Sequence, residues 1–260
     1  MSIITLTTDL GTQDFYQAAL KGSILSLMPE AKIVDISHEI PSFSVLNAAF
    51  ILKNAFPFFP IKTVHLIGIN SVYEEDVKYL AIKHKGHYFI GTDNGIFSLL
   101  IDGEEPEEMV ELNIMQDLKF LHFPLTDIFV KAAVHLAKSG QLKDIGIAVN
   151  EVKQLLLLHP TVEKNLIKGS VIYIDRFSNV ITNITKDFFT KVQNNRSFTL
   201  NFRRNERITK LSWHYNEVPE GEKLCLFGIS NYLEIAINKG KASSLLGLYL
   251  NDIIRIEFHD

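Results

Sequence analysis

The 260-residue chain has a single cysteine, Cys225. One thiol excludes an intramolecular disulfide and any CxxC redox or metal motif. It lies in the apolar run Leu224-Cys225-Leu226-Phe227 and reads as a small buried residue rather than a nucleophile. A basic excess is missing too. The net charge is −4 and no basic cluster stands out, which argues against a nucleic-acid partner. No apolar run reaches the roughly 20 residues of a membrane span, and nothing in the opening residues resembles a signal peptide. A cytoplasmic protein without a membrane partner is therefore expected. No repeat or low-complexity segment is visible. Several chemical signatures are also lacking. There is no GxGxxG or Walker A run for a nucleotide phosphate, and no GxSxG nucleophile elbow. The nine histidines show no HExxH-like spacing, so no metal site is expected.

What is present is a globular composition, 47% apolar with 22% charged residues. The length allows one large or two modest domains. The opening stretch Ile3-Ile4-Thr5-Leu6-Thr7-Thr8 reads as a strand. Asp9 falls at its end, Gly11 permits a turn, and Asp14 precedes a segment with helical spacing. A carboxylate just past a strand, before a helix, stands where open α/β sheets bind ligands. Ionised Asp only accepts hydrogen bonds, so a ribose diol, an amine or a metal would suit it. The same residues also fit a turn at Asp9 and a helix cap at Asp14. The local residues leave both readings open.

Strand and helix patterns alternate onward. Strands are expected at 31–36 and 63–69, the latter nearly all apolar, as in a strand buried on both faces. A helix begins at Ser44, a fair N-cap. A hairpin turns at Lys85-Gly86, a short helix follows Gly95, and a well-patterned helix covers Thr126 to Ala137. This alternation predicts an α/β domain over residues 1–150, a three-layer arrangement with helices on both faces of the sheet. After a connector at 151–164, short strands with tight turns predict an all-β barrel over residues 165–260. Glu104-Glu105-Pro106-Glu107-Glu108 reads as a solvated acidic loop, and Arg203-Arg204-Asn205 as part of a polar hairpin tip. His65 and His135 read as structural histidines.

Polar residues gather where apolar strands stop: Asp9, Asn70, Asp93-Asn94-Gly95, and Asp175 through Asn179. Carboxylates and amides at strand ends, without a phosphate loop, fit a nucleoside better than a nucleotide. Each also has a plain explanation. Asp93-Asn94-Gly95 is a good turn, and Asn179 fits an Asx turn.

Thr7-Thr8-Asp9-Leu10-Gly11-Thr12-Gln13-Asp14, followed by Lys21-Gly22, resembles the signature of the S-adenosylmethionine hydroxide adenosyltransferases, whose superfamily includes the S-adenosylmethionine-dependent fluorinases and chlorinases. Further matching blocks are Ile33 through Ile40, Asp93-Asn94-Gly95, Asp127-Ile128-Phe129 with Ala133 through Ala137, Asp175 through Asn179 with Thr182-Asn183-Ile184, and Tyr232 through Asn238. They run in order over nearly the whole chain. The resemblance implies an N-terminal α/β domain and a C-terminal barrel. It also implies a homotrimer with S-adenosylmethionine between one subunit's N-domain and a neighbour's C-domain. The small molecule would be substrate or ligand, and no separate cofactor is expected. Asp9 matches the ribose-diol carboxylate, and Asp14 and Phe123 match residues near the nucleoside. Asp175, Asn179, Ser230, Ile237 and Asn238 match the C-domain side.

The departures are specific. Relatives that transfer hydroxide activate water with an Asp, an Arg and a His. At those positions this chain has Asn70, Val77 and Pro124. Asn70 can orient a water but cannot take its proton; Val77 and Pro124 have no polar side-chain group. Halide-using relatives have small hydroxylated residues where Tyr73 and Leu125 stand, and a loop insertion that is absent here. Tyr73, Glu75, Asp76 and His122 are nearby polar groups, and the residues alone do not choose among them. Two functions are therefore expected as alternatives. One is a variant enzyme cleaving S-adenosylmethionine to adenosine and methionine. The other is a catalytically degenerate protein that binds S-adenosylmethionine or adenosine.

Overall fold

A computed structural model describes residues 3–71, 76–202 and 206–259. The chain forms two compact units, Met1–Leu156 and Leu157–Asp260.

In the first unit, β1 (Ile3–Thr8), α1 (Tyr16–Leu27), β2 (Lys32–Ser37), α2 (Val45–Ala55) and β3 (Val64–Gly68) alternate. They are followed by β4 (Tyr79–His84), β5 (His87–Thr92), α3 (Ile96–Ile101), β6 (Glu108–Leu112), α4 (Ile128–Lys138) and β7 (Gly146–Ala148). The seven strands form one sheet in the order β2-β1-β3-β5-β4-β6-β7. β1 runs parallel to β2 and β3, and β3 parallel to β5, so the carboxyl ends of these four strands share one edge. β4, β6 and β7 pair antiparallel with their neighbours.

The period of two along each strand sends alternate side chains into two separate cores. Ile4, Leu6, Val64, Leu66, Ala81 and Ile90 pack with Leu20 and Ile24 of α1 and with α4. Ile67, Leu80, Ile82 and Phe89 pack with Ala48, Ala49 and Leu52 of α2 and with α3. Helices therefore cover both sheet faces. The hairpin turns at Lys85 (φ 50°) and Gly86 (φ 75°), the left-handed pair that matches strand twist. Ser44 occupies the N-cap position of α2, but its hydroxyl accepts from Asn47 Nδ2 (2.6 Å) instead of capping the helix.

His65 is fully buried, with Nδ1 2.7 Å from Thr5 Oγ1 and Nε2 3.1 Å from His87 Nδ1. His135 sits at the end of α4, with Nε2 2.8 Å from Ser139 Oγ and 3.2 Å from the Gln141 carbonyl. Both serve the scaffold. The acidic run departs from a free loop. Glu104 pairs with Lys85, Glu107 with Lys83 and the Gly86 N–H, and Glu108 opens β6. The lysines on the facing hairpin neutralise the run, which lets the chain continue as a strand.

The second unit is antiparallel. It contains β8 (Thr161–Glu163), β9 (Leu166–Ile174), β10 (Val180–Thr185), α5 (Lys186–Gln193), β11 (Ser197–Phe202) and β12 (Glu206–Ile208). β13 (Lys223–Phe227), β14 (Tyr232–Ile237), α6 (Ala242–Leu246) and β15 (Ile253–His259) complete it. The order is β12-β11-β15-β9-β10-β14-β13, with β8 on β9. A bridge between Leu211 and Cys225 ties the segment after β12 to β13, so the sheet is nearly barrel-shaped. Alternating burial along β15 and β11 points Ile254, Ile256, Phe258, Phe198, Leu200 and Phe202 into a common core. α5 plugs that core with Phe189, whose ring lies 5.3 Å from Phe198 and 5.5 Å from Phe227. This helix is absent from the strand-only expectation, although Thr185 carries its signal: the hydroxyl caps the helix by accepting from Phe188 N. Cys225 is buried, and burial pushes its thiol up to about 12, so it is an inert core residue. Arg203, Arg204 and Asn205 lie outside the described residues. Among the described residues no helix is long and apolar enough to cross a membrane.

Candidate functional site

The sheet edge where β1, β2 and β3 end opens into a cavity of about 550 Å³. Its lining includes Asp9, Asp14, Tyr16, Phe43, Asn70, His122 and Phe123. Chain topology explains the gathering. Parallel pairing of β1 with β2 and β3 places their three exit loops side by side, at residues 9–15, 38–44 and 69–71. Gly68 lets the fourth contributor in. A Cβ there would stand 2.5 Å from Leu125 Cδ2 and 3.2 Å from Thr8 Cγ2, so a side chain at this position would force the buried Leu125 in the turn after Phe123 to shift.

Asp9 is the centre of this cavity. Its Oδ2 accepts from the backbone N–H of Phe43 (2.9 Å) and of Asn70 (3.4 Å). Both donors have left-handed backbone, φ 65° at Phe43 and 46° at Asn70. That conformation is costly for Phe and tolerable for Asn. Two unusual backbone positions thus aim their N–H groups at one carboxylate oxygen. Oδ1 has no partner among the described residues and is available to a ligand. Asp14 lies in the exposed turn before α1, whose N-cap is Phe15, with no side-chain cap bond. Asp14 does not cap the helix; its carboxylate borders the cavity instead. The Tyr16 and Phe123 rings meet edge to face at 5.6 Å and form an aromatic wall.

The three substituted positions part company. Asn70 lines the cavity. Val77 packs against the α1/α4 core. Pro124 is buried at the first position of a short 3-10 turn. Of the nearby polar groups, His122 lines the cavity and Asp76 is exposed outside its lining. Tyr73 and Glu75 lie outside the described residues. Asp93 and Asn94 are consumed by the scaffold. Both Asp93 oxygens accept from Lys153 N (3.0 and 3.1 Å), and Asn94 bridges from the Ile69 carbonyl to the Ile96 N–H.

The second unit has its own cavity, of about 540 Å³, lined by Arg176, Phe177, Asn179, Tyr215, Ile237, Lys239, Gly240 and Lys241. Asp175 orders it. Its Oδ1 accepts from Asn179 N (2.8 Å) and its Oδ2 from Asn179 Nδ2 (3.0 Å), leaving the amide oxygen of Asn179 for other partners. Tyr215 donates to Glu234 Oε1 at 2.6 Å. Burial, then this bond and the neighbouring charge, push the phenol up, and burial also raises the Glu234 carboxyl. Asn238 is buried, donates from its side chain to the Val218 carbonyl (2.8 Å) and from its backbone N–H to the Glu222 carbonyl (3.0 Å), and is outside the cavity lining. Ser230 sits in the β13–β14 turn and is outside the cavity lining. Among the described residues no three His, Cys, Asp or Glu side chains converge to hold a metal ion.

Several lining residues escape a sequence reading. Phe43 and Ser42 belong to a loop with no distinctive composition. The available signal is topological: a loop leaving the strand beside β1 must pass the end of β1. Tyr215, Lys239 and Lys241 come from turns whose placement only the curled sheet decides.

Fold and cavity together define a two-unit α/β plus β protein whose first unit has a cavity with a strand-end carboxylate and an aromatic wall, and whose sequence has no phosphate loop. Residues 4–146 match the SAM hydroxide adenosyltransferase N-terminal domain and residues 169–255 the SAM hydroxide adenosyltransferase C-terminal domain. The chain belongs to this family. It is 31% identical to the (R)-S-adenosyl-L-methionine hydrolase of Methanocaldococcus jannaschii, over 97% of this chain and 95% of that one. It is 28% identical to the (R)-S-adenosyl-L-methionine hydrolase of Salinispora tropica, over 97% of each chain. Among solved structures, an uncharacterized conserved protein from Thermotoga maritima superposes with a TM-score of 0.87 at 28% identity, covering 98% of this chain and 99% of that one.

Proposed function

We propose that this protein is an enzyme that cleaves S-adenosylmethionine with water, giving adenosine and methionine. The observation that carries this reading is the cavity-lining Asp9 carboxylate, held through Oδ2 by two backbone N–H groups, with Oδ1 unpartnered among the described residues. Such an acceptor suits the two hydroxyls of a ribose. Asp14 adds a second carboxylate, and the aromatic residues Tyr16 and Phe123 line the cavity. Carboxylates and aromatic faces both favour a cationic ligand, which a sulfonium is.

In the reaction, a water oxygen forms a bond to C5′ of the ribose. The C5′–sulfur bond breaks and its electron pair returns to sulfur, so methionine leaves as a neutral thioether. One water proton must be removed. Asn70 orients the water and His122 accepts the proton, imidazole being the side chain that ordinarily changes charge nearest neutral pH. The second cavity, through Ile237 and through Asn179 as held by Asp175, takes the rest of the ligand when supplied by a neighbouring subunit of a homotrimer; Ser230 and Asn238 lie outside its lining. Residues 1–150 act as the nucleoside-binding domain and 165–260 as the barrel domain, joined by 151–164, in a cytoplasmic protein that needs no further cofactor.

The test is incubation of the purified protein with S-adenosylmethionine and chromatographic separation of products. Adenosine and methionine should form in proportion to enzyme, and His122→Ala should slow the rate by about a hundredfold. The substitutions at Asn70, Val77 and Pro124 support a second reading, a binding protein without turnover. Saturable binding with no product would establish that reading instead. A stable monomer in sedimentation would overturn the trimer.

A further inference from the structure

The residue before Asp9 ends a chain of four side chains that the reaction does not use. Lys21 Nζ donates to Asp35 Oδ2 at 2.6 Å, and Asp35 Oδ1 lies 3.1 Å from His38 Nε2. His38 Nδ1 lies 2.6 Å from Thr8 Oγ1. Thr8 and His38 are buried, and Lys21 and Asp35 reach the surface. We infer that Lys21, Asp35, His38 and Thr8 form a positioning relay that sets the aim of the Asp9 carboxylate, with His38 as its hub. The inference rests on the reading of Asp9 as the ribose acceptor.

The direction of each bond follows from the donor inventory. His38 Nε2 is not aligned on Asp35 for a hydrogen bond, but at 3.1 Å the carboxylate charge favours a proton on that nitrogen. Burial works against the Asp35 charge, but the bond from Lys21 and the close contact with His38 outweigh it and hold this carboxyl below its ordinary value. With Nε2 protonated, neutral imidazole offers Nδ1 as an acceptor, and the Thr8 hydroxyl donates to it. A lone pair of Thr8 Oγ1 then faces the Leu10 N–H at 3.4 Å. The backbone of His38 adds a second hold, its carbonyl accepting from Gly11 N at 2.7 Å. His38 therefore holds the two peptides that follow Asp9, one through Thr8 and one directly. The strand does not need this help, because β1 is already paired along both edges. What the relay determines is the exit of the chain from the strand, where Asp9 stands.

The experiment measures affinity of the full chain for adenosine and for 2′,3′-dideoxyadenosine, with thermal unfolding as the check on folding. Wild type should prefer adenosine, because its diol meets Asp9. Thr8→Val keeps the shape and removes the hydroxyl; it should shrink that preference by about fivefold. Thr8→Ser should restore it. Asp35→Asn, at the exposed end, lets His38 take either tautomer and should shrink the preference by about threefold. A merely structural role would weaken both ligands equally and leave the ratio unchanged. Folded Thr8→Val and Asp35→Asn proteins with the wild-type ratio would overturn the relay while leaving the role of Asp9 intact. Should Thr8→Val not fold, the Asp35→Asn ratio decides alone. Equal affinity of wild type for the two nucleosides would overturn the Asp9 reading, and the relay with it.

Discussion

Asp9-Leu10-Gly11 and Asp93-Asn94-Gly95 have the same local form: an Asp one residue past a buried parallel strand, then a glycine with positive φ two residues on. Their fates are opposite. Asp93 gives both carboxylate oxygens to the backbone N–H of Lys153, sixty residues away, and becomes a clasp for the chain leaving the first unit. Asp9 gives one oxygen to Phe43 and Asn70, and the other has no partner among the described residues. The difference lies in what arrives from elsewhere. At the end of β5 the segment at Lys153 engages both oxygens, whereas the described residues of the loops beside β1 engage only one. A strand-end carboxylate therefore marks a place where a site can form, and long-range topology decides whether it does.

That contrast between scaffold groups and site groups can be broken experimentally. The largest expected effect belongs to the scaffold. His65 is buried as the neutral form, and burial, then the nearby His87, lower it from 6.5 to about 3. A depressed histidine contributes stability that is complete above pH 6.5 and is lost as pH falls toward 3. Unfolding free energy should fall in this window by up to about 1.4 kcal/mol per pH unit from this group, several kcal/mol in all. Denaturant melts of wild type and His65→Gln across this range check it: the variant should start less stable and show a flatter acid limb.

Next in size is Asp9→Ala. It should weaken S-adenosylmethionine binding by about a hundredfold, because a charged acceptor for two hydroxyls is lost. Its melting temperature should stay close to wild type. Calorimetric titration and thermal unfolding read the two quantities, and unchanged affinity would remove Asp9 from the site. Asp93→Ala should do the reverse at smaller scale. Loss of the two bonds to Lys153 N should cost about 1–2 kcal/mol of stability, with affinity within about twofold of wild type, a shift too small to signal a lost contact. If Asp93→Ala weakened binding as much as Asp9→Ala, the contrast between the two turns would fail.

Much of the first unit was legible in the sequence because its signals are local. Apolar β-branched runs gave β1, β3 and the β4–β5 hairpin, and Lys85-Gly86 gave the turn. β6 was hidden because its charged lead-in resembles a solvated loop until the lysines of the facing hairpin are in place. α5 was hidden because eight residues between two strands give little periodicity, and its cap, Thr185, is a common strand residue. At the site, Asp9, Asp14, Asn70 and Phe123 were legible as strand-end or block residues, and the structure brings them into one cavity. Phe43 was not. Its contribution is a backbone N–H in a left-handed conformation, which the identity of the side chain argues against. The triad positions show the same limit from the other side. Asn70, Val77 and Pro124 all read as losses of the water-activating groups, with Asn70 alone able to orient a water; Asn70 lines the cavity, while Val77 and Pro124 are packed into the scaffold.

The central claim is that water attacks the ribose C5′ carbon of S-adenosylmethionine in the cavity around Asp9. The most direct measurement is turnover in water enriched in heavy oxygen, followed by mass spectrometry of the products. The label should appear in adenosine, on its 5′-hydroxyl, with methionine unlabelled. Unlabelled adenosine, or no adenosine above the rate seen with Asp9→Ala, would contradict the account.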